Sequence, residues 1–454
     1  MAKTKTAFFC QNCGTESAKW VGKCSVCGEW NTMVEEFAVK NKTNTNLASS
    51  SSIFSSKPTL ISQISTIDVP RIPTTCSELD RVLGGGLVPG AMVLVGGEPG
   101  IGKSTLVLQI ALNLTHKKVL YISGEESPQQ IKLRADRLGF KENNCYIVSE
   151  TNLDNILTHI ENVTPEVVVI DSIQTLNNAS IESAPGTVSQ IRECTARILL
   201  VAKQKNIPVI LIGHINKEGS LAGPKVLEHM VDVVLQFEGD RNHIYRILRS
   251  IKNRFGSTSE IGIFEMENSG LKEVTNPSEL LLSNHNEILS GICIAAAVEG
   301  LRPFLIEVQA LASTAAYGTP QRSSTGFDGK RLNMLLAVLE KRAGFKLATK
   351  DVFLNIAGGL KVNDPSIDLA VVASVLSSTL DIPIPKDICV AGEIGLSGEI
   401  RPISRIEQRI SEASKLGFKR IIVPTILKKI ATIKSDIKII QVAKIEEAFA
   451  YLLT

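Results

Sequence analysis

The run from Gly97 to Thr105 contains the residues whose types and spacing most directly imply chemistry. It matches the pattern G-x-x-x-x-G-K-[ST], in which glycines let backbone N–H groups turn around a phosphate. Lys103 is placed to reach the β- and γ-phosphates, and the Ser104 hydroxyl is placed to bind Mg²⁺. The sequence therefore predicts a nucleoside triphosphate site made of Gly97, Glu98, Pro99, Gly100, Ile101, Gly102, Lys103, Ser104 and Thr105.

Apolar runs flank this glycine-rich segment on both sides. Ala91–Val95 has the composition of a buried strand, and Leu106–Leu114 has the length and composition of a buried helix. A phosphate-binding motif requires this order of strand, loop and helix, whereas a glycine-rich turn with a chance Lys-Ser pair does not. Further Val, Ile and Leu runs predict a parallel sheet that is covered on both faces: 118–123, 166–171, 208–213 and 232–237.

Polar residues follow several of these predicted strands, at the edge where a parallel sheet binds its ligands. Asp171 ends the most apolar run, so we expect it to hold Mg²⁺ together with Ser104, as a Walker B aspartate does. Glu125 and Glu126 follow the first run after the glycine loop; a carboxylate there can polarise the attacking water or favour a helix N-terminus. His214 is either a sensor of the γ-phosphate or a structural histidine.

Four of the nine cysteines form two close pairs near the start of the sequence: Cys10, Cys13, Cys24 and Cys27. Two Cys-x-x-Cys pairs offer four thiolates to one tetrahedral ion, which favours a structural zinc site over redox-active pairs or an iron–sulfur cluster. The segment is too short to bury a core, so the metal would supply its folding energy. The only two tryptophans flank these pairs, and we expect them to cap the small fold; stacking on a base or a partner is the alternative.

The bulk composition limits the possible classes of protein. With 454 residues, of which 44% are hydrophobic and 21% charged, the sequence is typical of a globular protein with about three domains. A net charge of +3 means that any affinity for nucleic acid must come from local basic loops. No apolar stretch approaches the ~20 residues of a membrane span, and the N-terminus lacks the apolar core of a signal peptide. We therefore expect a cytoplasmic protein with no membrane partner.

The segment Thr75–Gly90, which leads into the glycine loop, resembles the same region of RecA-type recombinases. With the cysteine pairs and the Lys-Asn-Arg-Phe-Gly run at 252–256, the whole sequence resembles the bacterial RadA (Sms) family of DNA-repair proteins. The resemblance implies an α/β fold: a RecA-like P-loop ATPase core with an N-terminal Cys₄ zinc ribbon and a C-terminal α+β Lon-type domain. It also implies that Lys252 and Arg254 act on the nucleotide of a neighbouring subunit; a solvated basic loop is the alternative.

Two loops resemble the DNA-binding loops of RecA-type cores. The first lies between Leu176 and Val188, and the second, at 216–225, carries Lys217 and Lys225. Such loops can follow phosphates without reading sequence, and neither contains an aromatic residue for base stacking. The resemblance further implies a ring, expected to be a hexamer, that acts on single-stranded and branched DNA with a RecA-type recombinase as partner.

The last third of the sequence has a pattern of its own. It predicts a helix at 291–299, a strand at 304–310 and a helix at 332–340. Lys330 and Arg331 are candidates for contact with DNA or with a neighbouring subunit, and solvated surface cations are the alternative.

Two segments of this region, 363–368 and 389–403, resemble the proteolytic domain of Lon proteases, whose catalytic pair is Ser and Lys. Ser366 falls on the serine position, but Glu407 falls on the lysine position. A serine without its base is a poor nucleophile at neutral pH, so we expect a domain that does not cleave peptides.

These observations predict a zinc ribbon at 1–35, a flexible linker at 36–59, the ATPase domain at 60–275 and the Lon protease-like domain at 276–454. The leading hypothesis is a DNA-dependent ATPase that uses ATP, Mg²⁺ and Zn²⁺, translocates on single-stranded DNA and promotes branch migration. The alternatives are an ATP-dependent Lon-like protease and a nucleotide-switched module that binds a recombinase.

Overall fold

The structure is a computed structural model that describes residues 6–10, 15–26, 28–37, 60, 70–139, 144–214, 226–239, 245–282, 289–315, 320–359, 361–425 and 437–453. Contacts divide the chain into two compact units. The first comprises Met1–Glu238, Arg246–Thr258 and Phe264–Glu273, and the second comprises Gly239–Tyr245, Ser259–Ile263 and Val274–Thr454.

A small antiparallel sheet begins the first unit. It is formed by β1 (Thr6–Cys10), β2 (Glu16–Ser17) and β3 (Met33–Phe37), with β1 in the middle. Cys10 and Cys24 pack with Met33 in a core of only a few side chains. Such a small apolar core supports the expectation that this element needs a metal to fold.

The main sheet of the first unit is built around the predicted apolar runs. Its strands are β4 (Met92–Gly97), β5 (Val119–Ser123), β6 (Cys145–Ser149), β7 (Val167–Asp171), β8 (Val209–His214), β9 (Val233–Glu238), β10 (Tyr245–Asn253), β11 (Ile261–Glu267) and β12 (Gly270–Glu273). In the described residues the order is β12-β11-β10-β9-β4-β8-β7-β5-β6. The strands from β9 to β6 run parallel, and β10 is antiparallel to β9.

Helices cover both faces of this sheet: α1 (Ser77–Leu83), α2 (Lys103–Asn113), α3 (Pro128–Arg137), α4 (Leu153–Val163), α5 (Val188–Lys205) and α6 (Val226–Met230). Successive residues of a strand point to opposite faces, so Val93 and Val95 join one apolar cluster while Met92 and Leu94 join the other. Burial on both faces explains why these strands are continuous apolar runs rather than alternating ones.

The second unit contains a seven-stranded sheet with the order β15-β16-β14-β13-β17-β20-β21 in the described residues. Its strands are β13 (Ile292–Glu299), β14 (Arg302–Thr314), β15 (Arg322–Thr325), β16 (Lys350–Ile356), β17 (Ile388–Val390), β20 (Arg420–Pro424) and β21 (Lys438–Val442), and β18 (Glu393–Ile394) pairs separately with β19 (Ile400–Arg401). The helices are α7 (Pro277–Leu281), α8 (Gly329–Ala343), α9 (Asp368–Leu380), α10 (Ile406–Lys415) and α11 (Ile445–Leu452).

The predicted helix at 291–299 is wrong, because this segment forms β13. The three consecutive alanines, Ala295, Ala296 and Ala297, favour a helix by intrinsic propensity. In the fold they are buried in a strand that pairs with β14 on one side and β17 on the other. Tertiary burial therefore outweighs local propensity, and the small side chains suit a strand whose neighbours pack closely. The predicted strand at 304–310 and the predicted helix at 332–340 are confirmed as parts of β14 and α8.

Candidate functional site

The glycine loop joins the carboxyl end of β4 to the first turn of α2. A side chain on Gly97 would lie 2.7 Å from the carbonyl oxygen of Phe237 on β9, so this position must be glycine. Gly102 has a φ of +115° and precedes the first residue of α2, where no side chain caps the helix. Uncapped N–H groups at the end of a glycine loop suit a phosphate, which fits the predicted triphosphate site.

Lys103 is folded onto this loop. Its ammonium donates to the carbonyl oxygens of Gly97 at 2.8 Å and Glu98 at 2.9 Å, and the residue is only 4% exposed. Burial lowers the pKa of Lys103 to about 8, although the carboxylates of Asp171 and Glu125 act in the opposite direction. Lys103 therefore lies within electrostatic reach of both predicted carboxylates.

Asp171 ends β7 and is held in place by a tyrosine that the sequence analysis did not single out. The buried Tyr121 hydroxyl on β5 donates to Asp171 Oδ2 at 2.7 Å. Burial, together with the Asp171 charge, raises the pKa of Tyr121 well above its usual value, so the hydroxyl remains a donor. A carboxylate oxygen of Asp171 and the hydroxyl of Ser104, in the first turn of α2, are oxygen donors of the kind that Mg²⁺ prefers. The sequence signal that could have identified Tyr121 is its phenol hydroxyl within the otherwise apolar run of β5.

Glu125 and Glu126 occupy different environments although they are adjacent in sequence. Glu125 Oε1 accepts a hydrogen bond from Ser172 Oγ at 2.6 Å and lies 3.3 Å from His214 Nε2. Burial opposes ionisation of Glu125, but these two partners outweigh it and lower its pKa. Glu126 instead forms an ion pair with Arg134 of α3. The sequence predicted Glu125, His214 and Asp171 at one sheet edge, and the structure brings them together there.

The segment 252–256 begins in the last two residues of β10 and is anchored by hydrogen bonds within this chain. Lys252 Nζ donates to the carbonyl oxygens of Glu228 at 2.7 Å and Val231 at 2.8 Å, at the end of α6. Arg254 Nη1 donates to Asp232 Oδ1 at 3.1 Å, while its side chain remains 56% exposed. The buried Asp232, just before β9, therefore orients Arg254; sequence reasoning missed this residue because it appeared only as the start of an apolar run.

Asn253, which lies between these two cations in sequence, fixes the position of the segment through its side-chain amide. Its Nδ2 donates to the carbonyl oxygen of Val82 at 3.1 Å, at the end of α1, and its Oδ1 accepts from the backbone N–H of Phe255 at 2.8 Å. Arg71 also donates to the Phe255 carbonyl oxygen at 2.7 Å. These bonds tie the cationic segment to the end of α1, immediately before the Gly84-Gly85-Gly86 turn.

The first predicted DNA-binding loop is organised by Gln190 of α5. This fully buried side chain donates to the Ser183 carbonyl oxygen at 2.8 Å and accepts from the Asn178 N–H at 2.9 Å. Ser180 and Gly186 of the loop are exposed. Lys217 and Lys225 of the second loop lie outside the described residues.

The two C-terminal cations have different surroundings. Lys330 is exposed at the start of α8. Arg331 forms an ion pair with the buried Asp368 and lies 3.6 Å from Glu393. The guanidinium of Arg331 is thus paired with one buried and one partly exposed carboxylate, and it is less available to DNA than the exposed Lys330.

The group that faces Ser366 is Arg409, not Glu407. Arg409, 1% exposed, donates from Nη1 to Ser366 Oγ at 2.6 Å and lies 2.7 Å from Asp364 Oδ2. Ser366 Oγ in turn donates to Asp364 at 2.7 Å. Burial opposes ionisation of Asp364, but Arg409 and Ser366 lower its pKa overall. Glu407 is exposed in α10, because residues two apart on a helix point in different directions, so the sequence match placed the wrong residue opposite the serine.

In the small sheet, Cys10 and Cys24 are buried, while Cys13 and Cys27 lie outside the described residues. Two buried thiols within this small core fit a metal site, since thiolates are preferred zinc ligands. Among the described residues, no group of three potential metal ligands was found. Trp20 and Trp30 are 55% and 67% exposed, so the expected cap is not formed.

Within the described part of the chain, no helix combines the length and apolarity that a membrane span requires.

Models of three protein families match consecutive parts of the chain. A rubredoxin metal binding domain matches residues 8–35, an AAA domain matches 59–220, and subunit ChlI of Mg-chelatase matches 318–426. DNA repair protein RadA of Bacillus subtilis is 52% identical over 451 residues, which cover 99% of this chain and 98% of the relative. DNA repair protein RadA of Halalkalibacterium halodurans is 50% identical over 456 residues, with full coverage of both chains.

A crystal structure of the RadB recombinase is 24% identical, with a TM-score of 0.37; the match covers 44% of this chain and 98% of that one. The matches to families and relatives, together with the observed sheets, confirm the fold class expected from the sequence. It consists of an N-terminal metal-binding ribbon, a RecA-like P-loop core and a C-terminal Lon-type domain.

Proposed function

The chain belongs to the family of proteins named DNA repair protein RadA, and from this premise we propose that it is a DNA-dependent ATPase that translocates on single-stranded DNA. Hydrolysis would drive branch migration of recombination intermediates during DNA repair. The observation that carries the hydrolytic part is the meeting of Lys103, Asp171 and Glu125 at one edge of the parallel sheet.

The geometry supports a distinct role for each of these side chains. The loop Gly97–Thr105 holds the triphosphate, Lys103 leaves the Gly97 and Glu98 carbonyl oxygens for the β- and γ-phosphates, and Asp171 with Ser104 holds Mg²⁺. Mg²⁺ held by these residues would supply positive charge beside the transferred phosphoryl group. Glu125 is the general base that orients water, because it is ionised and lies near Lys103, whereas Glu126 is bound to Arg134. His214, in contact with Glu125, carries the nucleotide state to the loop that follows β8.

We propose that a neighbouring subunit completes the site. Arg254 is largely exposed yet oriented by a buried carboxylate, which is how a cation aimed at another molecule is expected to be held. Lys252 would leave the end of α6 and join Arg254 on the neighbour's phosphates. A ring, by family resemblance a hexamer, supplies the repeated head-to-tail contacts that such a shared site needs.

For the DNA path, the proposed contacts are the loop organised by Gln190, the loop with Lys217 and Lys225, and Lys330. Arg331 is left out because it is paired with Asp368.

The ribbon is proposed to bind Zn²⁺ through Cys10, Cys13, Cys24 and Cys27. A RecA-type recombinase is the proposed partner, and the cytoplasm, where the bacterial chromosome lies, is the proposed location.

The Lon-like alternative is not supported. A serine protease needs a base that can accept the serine proton, but Ser366 Oγ is contacted by the guanidinium of Arg409, a group that only donates hydrogen bonds. Asp364, the other partner of Ser366, has a lowered pKa and is therefore a weak base. The network Asp364–Ser366–Arg409 fits a structural role within the second unit.

Single-stranded DNA is expected to stimulate ATP hydrolysis by the intact chain, and Lys103→Ala is expected to lower the stimulated rate at least about hundredfold. Lys117→Ala is the matched control. Lys117 lies just after the end of α2, the helix that begins with Lys103, and is a surface lysine paired with Glu166. Phosphate release is measured with and without an oligonucleotide at several salt concentrations. A rate that DNA leaves unchanged at every salt concentration would contradict the proposed function.

A further inference from the structure

The exposed surface of the N-terminal ribbon carries both tryptophans of the chain. Trp20 and Trp30 are 55% and 67% exposed, and the sequence contains no other tryptophan. Large aromatic side chains usually bury most of their surface, so two exposed indoles on one small element suggest a binding surface.

The two indole rings converge over Gly22. A Cβ at Gly22 would lie 3.6 Å from Trp20 Cη2 and 3.9 Å from Trp30 Cζ3, so any larger residue would enter the space that both rings border. Trp20 is oriented by its polar edge, since Nε1 donates to the Met33 carbonyl oxygen at 3.2 Å. The backbone N–H of Asn31 donates to the Gly22 carbonyl oxygen at 2.8 Å and joins the two chain segments that carry the tryptophans. We call Trp20, Gly22 and Trp30 the tryptophan platform.

A cation lies on the same surface. The Lys23 ammonium is 5.6 Å from the centroid of the Trp30 ring, and Lys19 is exposed nearby in sequence. Glu29, also exposed, precedes Trp30 and reduces the net positive charge of the surface. Aromatic faces with one adjacent cation suit a ligand that has flat rings and a single nearby negative charge.

We propose that the tryptophan platform binds single-stranded DNA by stacking one or two bases on Trp20 and Trp30, with Lys23 on the adjoining phosphate. This inference rests on the proposed function. The two loops expected to follow DNA phosphates in the ATPase core contain no aromatic residue, whereas the ribbon offers two exposed indoles for base stacking. Base stacking is tolerant of sequence, which is what a protein that moves along a strand requires.

The first test uses the intact chain and its own fluorescence. Because the only tryptophans are in the platform, their emission reports on this site alone. A labelled oligothymidylate is titrated while its anisotropy and the tryptophan emission are recorded together. We expect quenching that saturates with binding, and no quenching by an abasic strand that carries the same number of phosphates.

The possible outcomes separate the platform from the proposed function. Binding without quenching, or equal quenching by the abasic strand, would overturn the platform but leave DNA binding by the ATPase core intact. An absence of binding by anisotropy would overturn both. Quenching by a recombinase in the absence of DNA, with none by the oligonucleotide, would assign the surface to a protein and overturn the inference.

The second test uses variants. Trp30→Ala is expected to weaken oligonucleotide affinity about tenfold, whereas Trp30→Phe retains a stacking face and most of the affinity. Val26→Ala, at another exposed apolar residue of the ribbon, is the control with unchanged affinity.

The salt dependence of binding distinguishes the two kinds of contact. The slope of log affinity against log salt concentration should be unchanged in Trp30→Ala. In Lys23→Ala the slope should correspond to about one fewer released counterion, since only the lysine neutralises a phosphate. Zinc content measured with a chelating dye shows whether each ribbon remains folded. Equal affinities of Trp30→Ala and Val26→Ala would overturn the inference.

Discussion

Glu125 and Glu126 are adjacent in sequence but have different chemical environments. Both follow β5, but Ser172 and His214 contact only Glu125, and Arg134 contacts only Glu126. Both residues lie in the bend that follows β5, where the chain changes direction between the strand and α3, and their side chains reach different partners. The sequence predicts a carboxylate at this point, and the surrounding elements decide which of the two faces the proposed nucleotide site.

This difference predicts opposite outcomes for two conservative changes. Glu125→Gln removes the proposed base and is expected to lower kcat by about a hundredfold or more. Nucleotide binding should persist, because the phosphate loop and Lys103 are intact. Glu126→Gln loses only a partly exposed ion pair with Arg134 and is expected to change kcat by less than about threefold. Steady-state hydrolysis and binding of a fluorescent nucleotide measure the two effects, and a greater loss in Glu126→Gln would reverse the assignment.

At the scale of elements, helix α10 determines which side chain lies beside Ser366 in the Lon-like domain. The helix places Arg409 in the interior, where it also donates to the Ala296 carbonyl oxygen of β13 at 2.6 Å, and leaves Glu407 in solvent. Arg409 thus links α10, β13 and the Asp364–Ser366 segment. A buried, permanently charged residue is costly to place, and only these several partners compensate for its lost hydration.

The expected consequence is a large loss of stability when Arg409 is removed. Arg409→Met leaves Asp364 charged and unpaired in the interior, and should lower the free energy of unfolding of the second unit by about 3–5 kcal/mol. Glu407→Gln, on the exposed side of the same helix, should change it by less than about 0.5 kcal/mol. Calorimetric melting of the two variants provides the comparison, and similar transitions would refute a structural role for Arg409.

At the scale of the whole molecule, we propose that the site is divided between subunits. Lys103 belongs to the glycine loop, whereas Arg254 is oriented by Asp232 and has most of its side chain in solvent. In the proposed arrangement, each subunit would hold one nucleotide and would donate a cation to the nucleotide of the next subunit. Hydrolysis would then depend on assembly as well as on the site residues.

A mixing experiment tests this division. Lys103→Ala and Arg254→Ala should each be inactive alone, but equal mixtures should recover about a quarter of the DNA-stimulated rate if random rings pair an intact loop with an intact cation. Arg249→Ala is the control that should support the wild-type rate, because Arg249 is another cation of β10 and is paired with Glu238 of β9. The rates are measured after subunit exchange. Mixtures with no activity above the sum of their parts would place both groups in one subunit.

Local pattern was enough to predict much of this protein. The sequence predicts roles for the glycine loop, Asp171, the Glu125–Glu126 pair, His214 and the cysteine pairs, because the chemistry they imply needs those residue types at those spacings. The strands of the core were predicted because burial on both faces leaves a continuous apolar run. Where local propensity conflicted with the fold, as in the alanine-rich β13, the sequence prediction failed.

Other features were decided only by the tertiary structure. Tyr121 orients Asp171 from a neighbouring strand, Asp232 orients Arg254, and Arg409 replaces Glu407 opposite Ser366. Each pairing joins residues that are distant in sequence or that differ only in the direction in which they point from a helix, and periodicity does not reveal which side chains meet. The sequence by itself thus determined which chemical groups are available, and folding determined which of them lie within a hydrogen bond of each other.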